Sequence, residues 1–148
     1  YNGFRLEGKA VGENKYARLL TPGHENPEFV RWELHRVWVL EATLKEGYRH
    51  LYARRTIFID EDSWLATMAD NFDARGKLWR YNWVNNYYLP GPNLFNAGSA
   101  FYHDLDSGTY SAFDLAQAKT KSYVVNSPGV EYDKAEFFTI ENMKAIGY

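Results

Sequence analysis

The sequence contains no cysteine, and this absence excludes disulfides, zinc–thiolate sites and cysteine nucleophiles. It also lacks any apolar run that approaches the roughly 20 residues of a membrane-spanning helix. Positive and negative charges also nearly balance, so neither sign is in large excess. The formal net charge of the 148-residue chain is −2, which argues against a generic nucleic-acid or anionic-membrane binder. The chain begins at Tyr1 without a signal peptide, and the sequence leaves the cellular compartment open.

What the sequence has in excess is aromatic residues: 12 Tyr, 9 Phe and 5 Trp, which make up 18% of the chain. Aromatic residues are enriched in strands, and a composition this rich in them argues against disorder. At 148 residues the chain is long enough to build a core of its own. We therefore expect residues 1–148 to form a single domain or a fragment of a larger one.

Alternating apolar and polar residues in the middle of the chain predict an antiparallel meander. The stretch 89–98 holds two prolines and two glycines and is expected to be irregular. Near the end of the chain, Thr139 is expected to cap a short helix over 140–146. The predicted fold is thus mainly β, with one short C-terminal helix. The expected strands cover residues 32–44, 49–59, 64–73, 78–88, 101–105 and 109–115.

The turns between the first strands set the expected registers, since the length of a hairpin loop determines which residues face each other. A two-residue turn at Glu46-Gly47 places Trp38 opposite Arg55. A two-residue loop at 61–62 then places Arg55 opposite Met68. Trp38, Arg55 and Met68 are therefore predicted to share one face of the sheet.

The next hairpin leaves two registers open. A turn at Arg75-Gly76 places Tyr81 opposite Asp70, whereas a three-residue loop places Arg80 there. We prefer the first register. This register places Asp70 diagonal to Arg55, and it places Tyr81 on the same face of the sheet as Trp38 and Met68.

These registers gather most of the large aromatic residues on one sheet face. A single sheet is not stable with such a face in water, so protein, a ligand or another copy of the chain must cover it. Concave and mostly apolar surfaces of this kind bind ligands, whereas ordinary core packing is the plain alternative. The face carries Trp32, Trp38, Trp64, Met68, Phe72, Trp79, Tyr81 and Trp83.

Two arginines, Arg36 and Arg55, fall on the same predicted face. Charges on an apolar face are costly unless they are paired. One interpretation is that the planar guanidinium group of one arginine binds the anionic head group of a lipid-like ligand. The alternative is an ion pair with Asp70, the guanidinium being stacked on Trp38. The predicted ligand-binding residues are Arg36, Trp38, Arg55, Trp64, Met68, Asp70, Trp79, Tyr81 and Trp83.

The remaining polar residues predict neither a catalytic site nor a metal site. The four histidines lack metal-ligand spacing. The acidic stretch 60–63 lacks the spacing of an EF-hand loop, and we expect a solvated turn there. The nucleophile-elbow, P-loop and dinucleotide-binding patterns are all absent from the sequence. We therefore predict that the protein is not an enzyme and needs no cofactor.

Several segments of the chain resemble one known family. This family consists of uncharacterised Gram-negative proteins with a domain of unknown function. Its members are usually labelled outer-membrane lipoprotein-sorting proteins, because they look related to the LolA/LolB lipoprotein-localisation fold. The segments are 32–45 (WELHRVWVLEATLK), 49–55 (RHLYARR), 59–64 (IDEDSW), 73–80 (DARGKLWR), 20–24 (LTPGH) and 138–139 (FT) with the helix after it.

The resemblance covers nearly the whole chain and implies a strongly curved antiparallel sheet, an incomplete barrel of the LolA/LolB type. Because family members are much longer, it also implies that the chain is the C-terminal part of a larger LolA-like domain. The implied setting is periplasmic, and relatives of the fold bind acyl chains in a concave apolar cavity. The resemblance implies no catalytic residue.

The function that we expect is therefore that of a non-catalytic periplasmic carrier or chaperone-like module. It would bind a lipid or an acylated protein on the aromatic face, with envelope transport proteins as partners. The alternative is a structural or protein-interaction module of a cell-envelope assembly, without a small ligand. An exposed sheet edge would favour a homodimer of the chain.

Overall fold

The structure is a computed structural model, and it describes residues 15–115 and 135–147. The chain divides into two compact units, residues 1–118 and 119–148. The first unit contains the sheet and the second contains the C-terminal helix. No helix among the described residues is long and apolar enough to cross a membrane.

The first unit is built on one antiparallel sheet in which six strands follow one another in chain order. Neighbouring strands pair only with the strands before and after them, so the described sheet is an open meander and not a closed barrel. The predicted mainly β fold is confirmed. The strands are β1 (Val37–Thr43), β2 (Arg54–Asp60), β3 (Ala66–Phe72), β4 (Leu78–Leu89), β5 (Leu94–Asp104) and β6 (Thr109–Phe113).

The turn between β3 and β4 forms as the sequence predicts. Gly76 has a φ of +78°, a conformation that glycine adopts without steric cost. The Asp73 carboxylate accepts hydrogen bonds from the backbone N–H groups of Arg75 and Lys77, both at 2.9 Å. The resulting register pairs Asp70 with Tyr81 and confirms the preferred alternative.

The register between β1 and β2 differs from the prediction by four residues. Trp38 pairs with Ile59, and Arg55 pairs with Ala42. The connection runs from residue 44 to 53 and is far longer than a two-residue turn. Lengthening a loop costs little entropy, so the better apolar pairing of the strands determines the register.

The register between β2 and β3 is also wrong, and here the error moves side chains to the other face. Met68 pairs with Phe58 and not with Arg55. The turn, in which Trp64 has a φ of 60°, shifts the pairing by two residues, and a bulge between Phe58 and Ile59 shifts it by one more. Because side chains alternate with a period of two, Met68 and Arg55 lie on opposite faces.

The stretch 89–98 is not irregular, contrary to the prediction. It belongs to a hairpin in which β4 runs to Leu89 and β5 begins at Leu94. Only residues 90–93 form the turn, which takes up both prolines of the stretch. Two long strands can thus extend on both sides of a short proline-containing loop.

The two faces of the sheet follow from the observed registers, and each is named after a tryptophan. Residues on the Trp83 face include Phe58, Met68, Asp70, Tyr81, Trp83, Phe101, His103 and Tyr110. Residues on the Trp38 face include Trp38, Leu40, Arg55, Ile57, Asn71, Arg80, Asn82, Tyr102 and Asp104.

The buried core lies on the Trp83 face, where the chain before β1 packs on β4–β6. Leu19 and Val30 pack there against Trp83 and Phe101. The Tyr110 hydroxyl donates to the Thr21 carbonyl at 3.0 Å and joins β6 to this segment. The segment holds a short helix that the sequence did not predict, α1 (Lys15–Leu19), and a 3₁₀ turn at Pro27–Phe29.

In the second unit, helix α2 spans Ile140–Ile146, as predicted. The Thr139 hydroxyl oxygen accepts a hydrogen bond from the Asn142 N–H at 3.2 Å, which is the predicted N-cap. A 3₁₀ helix at Ala135–Phe138 precedes it.

Candidate functional site

The predicted ligand-binding residues do not form one cluster. Trp38 and Arg55 lie on the Trp38 face of the sheet. Four others, Met68, Asp70, Tyr81 and Trp83, lie on the opposite face. The predicted single aromatic face is therefore wrong, because the β2–β3 bulge inverts the alternation between these two groups.

The other three predicted residues lie at the margins of the sheet. Arg36 precedes β1 and donates to the Glu61 carboxylate at 2.5 Å. Trp64 lies exposed in the β2–β3 turn. Trp79 follows the first residue of β4, beside a bulge, and its ring lies 4.2 Å from the Arg80 guanidinium.

The alternative ion pair between an arginine and Asp70 does not form either. The Arg55 guanidinium donates through Nε to the Asn71 side-chain oxygen at 2.7 Å. Asp70 lies on the other face, between Thr56 and Tyr81. Arg55 thus has a neutral hydrogen-bond partner on the Trp38 face.

A cleft of about 280 Å³ opens on the Trp83 face, between the sheet and residues 31–35. One wall is the extended chain before β1, and the other is formed by β2, β3 and β4. Two of the predicted residues, Met68 and Trp83, line it. The apolar lining residues include Trp32, Leu34, Val37, Phe58, Met68 and Trp83.

The wall formed by residues 31–35 is held at both ends. Trp32 packs on Trp83 with ring centroids 5.2 Å apart. His35 contacts the Asp60 carboxylate through Nδ1 at 2.9 Å. Leu34, between these two anchors, is fully exposed and presents its side chain to solvent. These two contacts hold residues 31–35 in place and leave the side chain of Leu34 available for a ligand.

Asp60, expected in a solvated turn, is only 1% exposed. Besides His35, it binds the Ser63 backbone N–H at 2.9 Å and the Ser63 hydroxyl at 2.6 Å. Ligand atoms of His35, Asp60 and Asp62 lie within 4.8 Å of one another, so this group could hold a metal ion. The hydrogen bonds of Asp60 give it a structural role at the end of the cleft wall.

Two asparagines of β4 bring unpaired polar atoms to the cleft. Asn85 and Asn86 line it and are both buried. Within the part of the chain that the structure describes, the Asn85 side-chain nitrogen and the Asn86 side-chain oxygen have no hydrogen-bond partner. Buried amides are normally paired, so a free donor and a free acceptor beside a cleft are functional candidates.

Sequence reasoning missed Glu25, which lies next to the cleft beneath Trp83. Its carboxylate accepts a hydrogen bond from the Trp83 indole N–H at 3.0 Å and contacts His103 Nε2 at 2.6 Å. The His103 ring is stacked between Tyr81 and Tyr110. Burial, followed by the negative charge of Glu25, raises the pKa of both tyrosines.

Of the contacting pair Glu25 and His103, only His103 could have been placed from the sequence. His103 alternates with Phe101 in a predicted strand, and this alternation predicts that both side chains point to the same face. Glu25 lies outside every predicted strand and helix, so no periodicity could have placed it.

Comparison with known proteins identifies relatives along nearly the whole chain. The model of the family called protein of unknown function DUF1329 matches residues 1–144. An uncharacterized protein of Pseudomonas aeruginosa is 38% identical over 134 residues, which make up 90% of this chain and 29% of that protein. The resemblance inferred from the sequence is confirmed.

Two crystal structures are similar to half of the chain. One is a DUF1329 family protein from Desulfovibrio piger, with a TM-score of 0.44 and 19% identity over 51% of this chain and 31% of that one. The other is a domain from Vibrio parahaemolyticus assigned to outer membrane lipoprotein sorting, with a TM-score of 0.44 and 17% identity over 51% and 32%. The chain spans less than a third of the length of each of these relatives.

Proposed function

The chain belongs to the DUF1329 family of proteins of unknown function, and on that premise we propose that it is part of a non-catalytic periplasmic carrier. It binds a lipid or an acylated protein in the cleft between residues 31–35 and the Trp83 face. The periplasmic setting rests on the family resemblance of the sequence. The proposal assigns no catalytic residue and no cofactor to the chain.

The observation that carries this proposal is the exposed apolar lining of the cleft. Trp32 and Leu34 on one wall and Met68 on the other are all large, apolar and exposed. Contiguous exposed apolar surface in a concavity is typical of ligand-binding sites. An acyl chain that covers these side chains gains about 25 cal/mol for each Å² of apolar surface removed from water.

The polar atoms of the cleft orient the ligand in this proposal. Both unpaired amide atoms are buried; after a rotation of its side chain towards the cleft, Asn85 can donate to a carbonyl of a head group and Asn86 can accept from an N–H or O–H group. Release requires a partner protein, because the apolar chain has no favourable path through water. Envelope transport proteins are the partners that we propose.

Paired variants of two tryptophans test the site. Trp32 lines the cleft and is 54% exposed, whereas Trp38 lies on the opposite face and is 55% exposed. Native mass spectrometry with palmitic acid and with a tripalmitoylated lipopeptide measures binding to Trp32→Ser and to Trp38→Ser. We expect about tenfold weaker binding for Trp32→Ser, the loss of about 1.4 kcal/mol, and no change for Trp38→Ser.

Three results would contradict the proposal. They are the reverse pattern between the two variants, equal binding by both, and no binding of either ligand by the unmodified chain. Circular dichroism of both variants establishes that they keep the fold. Because the two tryptophans are exposed to nearly the same extent and both variants are first shown to be folded, a difference in binding reports on the cleft.

A second candidate function, a protein-interaction module, rests on strand β1. This edge strand is exposed along nearly its whole length, and Val39 and Leu40 are large apolar residues on its two faces. Exposed edge strands pair with further strands. Sedimentation velocity of the chain and of Val39→Lys tests this candidate: a dimer that the substitution dissociates supports it, and a monomer at all concentrations contradicts it.

A further inference from the structure

A second concavity, of about 310 Å³, lies on the Trp38 face over strands β3 to β6. It has a polar lining, unlike the cleft on the other face, and none of its lining residues lines that cleft. We call it the polar groove. Its lining residues include Tyr52, Arg80, Asn82, Tyr102, Asp104 and Ser111.

The charged groups that line the polar groove neutralise each other. Arg80 Nε donates to the Asp104 carboxylate at 2.8 Å. The hydrogen bond from Arg80 and the backbone N–H of Ser107 lower the pKa of Asp104 to about 2, so the pair stays ionised at neutral pH. Arg55, a further cation on this face, donates to Asn71 and does not line the groove. The lining therefore favours a neutral ligand over an anion.

Several polar atoms of the groove remain available to a ligand. The Asn82 side-chain oxygen accepts from the Asn71 amide at 3.1 Å, which fixes the orientation of the Asn82 amide. The Asn82 nitrogen has no partner among the described residues, and neither has the hydroxyl of Tyr102 or of Ser111. The groove thus presents fixed donors together with hydroxyls that can donate or accept.

Aromatic side chains complete the lining. Tyr102 is exposed, and its ring is supported by an edge contact to Phe113 at 5.5 Å. Tyr52 is supported by an edge contact to Trp79 at 5.9 Å, and its hydroxyl accepts from Arg80 Nη1 at 3.3 Å. Both tyrosines have an apolar ring and a polar end, which suits a ligand with both kinds of surface.

We propose that the polar groove is a saccharide-binding site for a neutral sugar chain. A sugar ring has C–H faces that pack on aromatic rings, and its equatorial hydroxyls donate to and accept from planar amide, carboxylate and guanidinium groups. The groove supplies the aromatic part through Tyr102 and the planar groups through Asn82 and the Arg80–Asp104 pair. An acyl chain would leave these polar groups unpaired, so it is not the ligand of this groove.

Nuclear magnetic resonance titration with three neutral hexasaccharides, maltohexaose, cellohexaose and chitohexaose, tests the proposal. The reporters are the side-chain amide signals of Asn82 and, in the Asn82→Ala variant, of Asn71, which also lines the groove. At about 10 mM sugar, a site with a Kd of about 1 mM is nearly filled. We expect at least one sugar to shift the Asn82 signal, and about tenfold weaker binding in Asn82→Ala and in Tyr102→Ala.

The matched control is Tyr88→Ala, because Tyr88 is also an exposed tyrosine of the sheet but packs on Phe95 outside the groove. This variant should bind as the unmodified chain does. Two results would overturn the proposal. They are the absence of a shift with all three sugars, and sugar binding that Asn82→Ala and Tyr102→Ala leave unchanged. Palmitic acid binding by the same variants keeps this test separate from the test of the apolar cleft.

Discussion

The two halves of the Trp83 face differ in what covers them. Over β4–β6 the chain segment before β1 packs on the sheet, and Trp83 and Phe101 are 4% and 0% exposed. Over β1–β3 the same face holds Val39, 59% exposed, and Met68, 40% exposed. In β4–β6 the large apolar residues alternate onto this face, whereas in β1 and β2 most of them, among them Trp38, Leu40 and Ile57, lie on the opposite face. The packing of the segment before β1 therefore makes a core only where the apolar residues of the strands point to this face.

The covered half also contains a polar anchor, a buried residue whose hydrogen bonds attach the segment before β1 to the sheet. Glu25 lies in the covering segment and binds Trp83 and His103 of the sheet. In the uncovered half the corresponding anchor, His35 to Asp60, lies at the margin of the cleft and leaves Leu34 exposed. The first half therefore stabilises the fold, and the second half is where we propose that the ligand binds.

The largest effect is expected in the core of the covered half. Phe101→Ala removes a fully buried ring and should lower the free energy of unfolding by about 3–5 kcal/mol. Urea denaturation measures it. The control is Leu40→Ala in the exposed strand β1, which should cost far less. Similar losses for the two variants would show that the halves do not differ in packing.

A smaller effect is expected from the anchor. Glu25→Ala leaves the Trp83 indole N–H and His103 Nε2 without their carboxylate partner in a buried environment. We expect a total loss of about 1–3 kcal/mol, because the substitution leaves buried polar groups unpaired but also removes the cost of burying the Glu25 carboxylate. Urea denaturation again measures it, with Glu28→Ala at an exposed position of the same segment as the control. Equal stability of the two variants would refute the role of the anchor.

The smallest effect on stability is expected from Asp104, a partly buried carboxylate whose pKa is lowered to about 2. A lowered pKa in the folded state means that the ionised carboxylate stabilises the fold. This contribution is present above the ordinary pKa of 3.8 and is lost as the pH falls towards 2.

Carbon-13 NMR of the Asp104 carboxyl group measures its titration midpoint. We expect a midpoint near pH 2 in the unmodified chain and a higher one in Arg80→Gln, because the Arg80 hydrogen bond is the largest cause of the shift. A midpoint near the ordinary value in the unmodified chain would show that the pair with Arg80 does not hold in solution.

Local signals in the sequence predicted the β3–β4 turn and the C-terminal helix correctly, whereas the equally local Glu46-Gly47 turn gave a wrong register. The Arg75-Gly76 turn gave the correct pairing of Asp70 with Tyr81. The cap at Thr139 and the bounds of helix α2 also follow from local residue types. Such features depend on hydrogen bonds within a few residues, and these can be inferred from residue types and spacing alone.

The candidate site could not be predicted in the same way, because it depends on non-local pairing. The bulge near Phe58 moves Met68 away from the face of Arg55, and nothing local marks its position. Glu25 reaches His103 across 78 residues of sequence, outside any periodic segment. Of the predicted site residues, Met68 and Trp83 line the cleft, and their ligand-binding role stays a prediction.

The most direct test of the central claim uses the two methionines of the chain. Met68 lines the uncovered cleft, and Met143 lies in helix α2 of the other unit. Carbon-13 labelling of the methionine methyl groups gives one signal from each residue. A spin-labelled stearic acid broadens the signals of methyl groups close to it. We predict that the Met68 signal disappears as the ligand binds, and that it keeps its intensity in Trp32→Ser at the same ligand concentration. A Met68 signal that stays sharp at saturating ligand would contradict the account.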